Sequence, residues 1–89
     1  MSEQTSDRYE ATLGPNTKQW WLYDNDNDTY VDPPTEVLNE IEEIQFADGK
    51  ETVESIDAAR DRLEEIANKE QPDWLNDEPY IYPAEDFEI

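Results

Sequence analysis

The sequence predicts a small single-domain α+β fold: an N-terminal antiparallel β-meander packed on two α-helices, with an extended acidic-aromatic C-terminal segment. Three observations carry that prediction. Apolar and polar residues alternate with period two from Arg8 to Leu13, and an aromatic run from Lys18 to Tyr23 follows a Gly-Pro-Asn turn. Apolar residues recur at helical spacing in two later stretches, which begin at Val37 and Ile56. The last twenty residues, 70–89, contain no Lys or Arg yet carry Trp74, Leu75, Tyr80, Ile81, Tyr82 and Phe87.

Each element follows from its own residues. Tyr9, Ala11 and Leu13 share one face of a first strand, and Arg8, Glu10 and Thr12 share the other. Gly14-Pro15-Asn16 turns the chain. In a second strand Trp20 and Leu22 face one way, Trp21 and Tyr23 the other. Asp24-Asn25-Asp26-Asn27-Asp28 is a polar turn, and Thr29-Tyr30-Val31 makes a short third strand. Asp32-Pro33-Pro34 stops the sheet, because proline cannot donate to a ladder, and it starts a helix well. Val37, Leu38, Ile41 and Ile44 line that helix, with Glu36, Asn39, Glu40, Glu42 and Glu43 on its other face.

Residues 44–53 read either as a hairpin about Asp48-Gly49 or as a loop between helices, and the flanking apolar residues lean toward the hairpin. A second helix begins at Ser55, a suitable N-cap, with Asp57 in its first turn. Its stripe is Ile56, Ala59, Leu63, Ile66 and Ala67, and it ends between Asn68 and Glu70, before Pro72. The like-charge pairs Asp57/Asp61 and Asp61/Glu65 strain it mildly, and salt relieves them. Pro79 and Pro83 bracket Tyr80-Ile81-Tyr82 as an edge strand or an extended segment over the core. The organisation is therefore a frayed N-terminus (1–7), an α+β domain (8–70) and a C-terminal segment (71–89) packed on it. The expected core is Leu13, Trp20, Leu22, Tyr30, Val37, Ile41, Ile44, Phe46, Ile56, Leu63, Ile66 and Ile81.

Charge bounds the function. There are 25 acids against 6 bases in 89 residues, a formal net charge of −19, and the mean hydropathy is −1.09. In dilute salt such a chain repels itself. Three explanations compete. Acids spread from Glu3 to Glu88 with only three lysines suit a cytoplasm rich in KCl, where carboxylates hold hydrated monovalent cations. Mimicry of DNA is the second, since carboxylates at phosphate-like spacing can fill a basic groove. A disordered acidic chaperone or tail is the third, and an aromatic content of 11% argues against it. Direct nucleic-acid binding is disfavoured because phosphate contacts need a basic patch. No apolar run reaches membrane-spanning length, and the polar start MSEQTSDRYE lacks the pattern of a signal peptide, so a cytoplasmic protein is expected.

Chemistry-bearing motifs are few. Asp24, Asp26 and Asp28 match the first three positions of a calcium loop, but Thr29 stands where the turn glycine belongs and Thr35 where a bidentate Glu belongs. A solvated hairpin turn is the better reading. The chain has no His, no Cys, no Gly-rich phosphate loop and no nucleophile elbow, so a non-enzyme without cofactor is expected. Adjacent Trp20 and Trp21 face opposite sides of a strand, so one of them needs cover from this chain or from a partner. The end, Ala84 to Ile89, suits docking of Phe87 and Ile89 in apolar pockets rimmed by bases, or else a frayed or intramolecular edge. Candidate partner-binding residues are Trp21, Trp74, Leu75, Tyr80, Tyr82, Phe87 and Ile89. The leading expectation is a non-catalytic protein-interaction module, an adaptor or regulatory protein of a high-salt cytoplasm that binds another protein. Its rival is a DNA-mimic inhibitor of a basic nucleic-acid-binding protein.

Overall fold

Period-two patterning becomes the sheet in the computed structural model, which describes residues 8–75, 81–85 and 88–89. Strands β1 (Tyr9–Leu13), β2 (Trp20–Asp24), β3 (Thr29–Val31) and β4 (Ile81–Pro83) form an antiparallel sheet in the order β1-β2-β3-β4. Between β3 and β4 lie α1 (Thr35–Gln45) and α2 (Val53–Glu65). A π-helical turn (Ile66–Glu70) and a 3-10 turn (Asp73–Leu75) follow α2. The expected three-stranded meander thus gains a fourth strand from the C-terminal segment.

Register sorts the side chains. Ala11 pairs with Leu22, Leu13 with Trp20, and Leu22 with Val31, so these residues share the face on which the helices pack. Tyr9, Ala11, Trp20, Leu22 and Val31 are buried there against Ile41 of α1, Ala59 and Leu63 of α2, and Ile66 and Ala67 of the π turn. Burial of a side chain such as Leu22 or Leu63 stabilises by about 2 kcal/mol, against about 0.5 kcal/mol for an exposed ion pair. The core therefore holds the fold, and the ion pairs trim it. Ala59 and Ala67, fully buried, let the helical layer approach closely because they have no bulk beyond Cβ.

Three local expectations change. Residues 46–52 form a loop between helices, not a hairpin, because α1 runs through Gln45 and takes Ile44 as a helical residue. Gly49, at φ 78°, takes the left-handed conformation the loop needs, and its amide donates to the Phe46 carbonyl at 2.9 Å. The N-cap of α2 is Thr52, not Ser55. Thr52 Oγ1 accepts from the Ser55 amide at 3.0 Å, and Ser55 Oγ accepts from the Thr52 amide at 2.8 Å, a reciprocal capping box. Phe46 and Ile81, both expected in the core, are 48% and 46% exposed. The loop carries Phe46 outward, and Ile81 sits on the last strand of the sheet, beyond the helices.

Strand β1 is a sheet edge, and side chains from the helical layer seal it. Asn68 Nδ2 donates to the Tyr9 carbonyl and Asn68 Oδ1 accepts from the Tyr9 amide, both at 2.9 Å. Glu64 Oε2 accepts from the Ala11 amide at 3.0 Å. The amide of Asn68 thus stands in for a neighbouring strand, which blocks edge-to-edge pairing. At the opposite edge, β4 has three residues and ends in Pro83, both ways of blunting an edge.

Candidate partner-binding surface

The helices cover one face of the sheet, and the other face is aromatic. Across the four strands, Glu10 pairs with Tyr23, Tyr23 with Tyr30 and Tyr30 with Tyr82, so these four side chains form one row. Thr12 and Trp21 form the row beside it. The rings of Tyr23 and Tyr30 are 5.2 Å apart and tilted by 55°. Trp21 and Tyr82 meet edge to face at 5.6 Å and 81°. Trp21 Nε1 donates to Thr17 Oγ1 at 2.7 Å. The three tyrosines are each half-buried, and of them Tyr82 lies against Trp21.

The electrostatics of this face are acidic. Tyr23 hydroxyl donates to Asp28 Oδ1, and Asn25 Nδ2 donates to Glu10 Oε2 at 2.9 Å. The bond to Asp28, ahead of burial and the surrounding negative charge, pushes the Tyr23 phenol up to about 12. A tyrosinate is thereby suppressed, and the ring stays neutral and electron-rich.

The residues expected from the sequence to bind a partner are only partly brought together. Trp21 is 4% exposed and therefore does not anchor a partner directly in this conformation. Its cover is intramolecular, from Tyr82 of the C-terminal strand. Tyr82 joins the aromatic face. Trp74 and Leu75 pack instead against the core cluster, and Trp74 lines a hollow of about 290 Å³ with Pro33, Pro34 and Leu38. The carbonyl of Ile89 accepts from the Asn16 amide at 2.8 Å, in the β1–β2 turn. Gly14 is required at that approach, since a Cβ there would lie 2.9 Å from the Ile89 carbonyl carbon and 2.5 Å from Thr17 Oγ1. Tyr80 and Phe87 lie outside the described residues. Tyr23 and Tyr30 complete the surface; neither was named from the sequence as partner-binding, and Tyr30, expected in the core, lies instead on the outer face because it is in register with Tyr23 and Tyr82. The signal for Tyr23 was the parity it shares with Trp21 on β2, whereas the face of Tyr30 is set by its register with Tyr23 across the strands.

The Asp24, Asp26 and Asp28 triplet does not converge as a ligand set. Arg8 Nε and Nη2 donate to Asp24 Oδ1 and Oδ2, each at 2.9 Å. Asn27 Nδ2 and the Asp26 amide donate to the same carboxylate at 2.9 and 3.0 Å. Burial works to raise the Asp24 pKa, but these bonds outweigh it and hold the carboxyl below its usual range. Asp28 is engaged by Tyr23 at φ 53°, the left-handed conformation that closes the β2–β3 turn. Among the described residues no group of three or more acids is placed to hold a metal ion. Asp26 and Asp28 lie in the β2–β3 turn, and Asp24, which ends β2, is a buried structural carboxylate rather than a solvated one.

The chain matches no family model, no curated protein and no solved structure.

Proposed function

We propose that this chain is a non-catalytic protein-interaction module, an adaptor or regulatory protein of a high-salt cytoplasm, and that the aromatic sheet face receives its partner. The observation that carries the reading is the row of half-buried Tyr23, Tyr30 and Tyr82 on the face opposite the helices. Tyrosine and tryptophan are the residues that anchor interfaces, because they offer large rigid area with a polar tip. A cytoplasmic site agrees with the finding that no described helix is long and apolar enough to cross a membrane. Monovalent cations would serve as solvation for the carboxylates.

The test is co-isolation of the partner by the tagged full chain from its source cells in molar KCl. Removal of residues 71–89 would delete β4 and Trp74 with it, so point substitutions are the informative variants. Tyr23→Ala should lose the partner while circular dichroism stays unchanged. Retention of every partner by Tyr23→Ala and by Tyr82→Ala overturns the reading.

Mimicry of DNA remains the second reading, and one observation favours it. Exposed acids recur at about one-turn intervals on both helices: Glu36, Glu40 and Glu43 on α1, and Glu54, Asp57, Asp61 and Glu65 on α2. Arg60 and Arg62 interrupt that field, since Arg60 pairs with Asp57 at 2.9 Å and Arg62 with Glu40 and Glu65 at 2.7 and 3.0 Å. Competition with duplex DNA for a basic DNA-binding protein at low salt would favour mimicry, and its absence at any salt removes it.

A further inference from the structure

Resting on the reading of the sheet face as the partner surface, we propose that its occupant is an arginine-bearing segment of a basic partner protein. A guanidinium of that segment sits on the Tyr23 ring between Glu10 and Asp28. The fold already contains one such arrangement. Arg8 lies 5.0 Å over the Tyr9 ring while its Nε and Nη2 grip Asp24. An aromatic ring beside a carboxylate is thus a guanidinium seat in this chain. The same pair recurs on the outer face, where Tyr23 is hydrogen-bonded to Asp28 and stands opposite Glu10 in register. Among the described residues no arginine or lysine of this chain lies over the Tyr23 ring.

Charge complementarity gives the sign of the occupant. A chain of net −19 with an acidic rim on this face attracts cations and repels phosphates. Salt decides between the two cationic side chains. In molar salt the Debye length falls to about 3 Å, so only contacts between touching groups survive. Potassium then competes for the carboxylates, and a lysine ammonium, compact and strongly hydrated, has little advantage over it. A guanidinium is planar and weakly hydrated, stacks on an aromatic face and forks onto a carboxylate, so its contacts outlast screening.

The experiment is an NMR titration of the isotope-labelled full chain with oligo-arginine and oligo-lysine peptides of equal length. It spans KCl concentrations at which circular dichroism shows the chain folded. At the lowest of these both peptides should bind. In molar KCl oligo-arginine alone should still bind, with shifts centred on Tyr23, Glu10 and Asp28. Tyr23→Leu, which keeps apolar cover and removes the π face, should weaken it about fivefold. Should that variant fail to fold, Glu10→Gln, at an exposed side chain, gives the same test. Equal binding of the two peptides with equal loss in salt, or shifts centred on the helices, overturns the proposal. Its failure is distinct from failure of the surface itself. If Tyr23→Ala still costs the partner in co-isolation, the surface stands and its occupant has other chemistry.

Discussion

Asp24 is an acid that the fold has taken out of water. Its spacing with Asp26 and Asp28 matches the first positions of a calcium loop, but its side chain is buried at the end of β2, with Arg8, just before β1, supplying its counter-charge. Four donors reach it, which is why it tolerates burial. Asp24→Asn keeps the shape and removes the charge, so it should cost about 2 kcal/mol in urea unfolding at fixed KCl. The pH dependence has a definite sign. The folded-state pKa of Asp24 lies below its ordinary value of 3.8, so its stabilisation is complete above that value and drains away as pH falls through the folded one. Asp24→Asn should therefore be less acid-sensitive than the parent chain over that range. An equal loss of stability in both proteins as acid is added would remove Asp24 from this role.

Among the elements, the edge of β1 is the contact with the most to lose. Asn68 lies in the π-helical turn, where the extra residue per turn departs from the α-helical repeat of α2. From there its amide makes both bonds to Tyr9. The stripe Ile56, Ala59, Leu63, Ile66 and Ala67 was legible as a helical face, and Ala59, Leu63, Ile66 and Ala67 are indeed buried. A polar residue at the end of that stripe gave no sign that it would pair with a strand. Asn68→Ala leaves a buried amide and carbonyl unpaired and should cost about 2 kcal/mol. It should also speed hydrogen exchange at Tyr9 more than at Leu22, which is held in the middle of the sheet. Unchanged protection at Tyr9 would show that the edge is sealed by something else. Arg62 ties the same layer from outside, bridging Glu40, Glu65 and Glu70 at 2.7 to 3.0 Å. Such exposed ion pairs add little each.

For the whole molecule the governing quantity is the range of the charge repulsion relative to its size. The principal extents are 35, 35 and 23 Å. In dilute buffer the Debye length is about 30 Å, so nearly every carboxylate feels every other, whereas in molar salt it is about 3 Å and each feels only its contacts. The urea midpoint should therefore rise steeply with KCl and flatten once screening is complete. Stability that is flat from dilute buffer upward would mean that the core carries the repulsion unaided. The charge would then call for a functional explanation, and mimicry of DNA would be the one to pursue.

What the sequence determined by itself is whatever depends on neighbours along the chain. Period-two alternation set the faces of β1 and β2, helical spacing set the stripes of α1 and α2, and the acid count set the electrostatic field. The aromatic face was half legible, because Trp21 and Tyr23 had to point away from Trp20 and Leu22, but nothing local said what would cover them. Tertiary structure decided that. It brought Tyr82 onto Trp21 as part of a fourth strand, Arg8 onto Asp24 across 16 positions, and Asn68 onto Tyr9 across 59. Local periodicity follows from backbone geometry, which any short window contains. Pairings between distant residues depend on which unsatisfied groups the packed elements leave within reach of one another, and only the folded chain settles that.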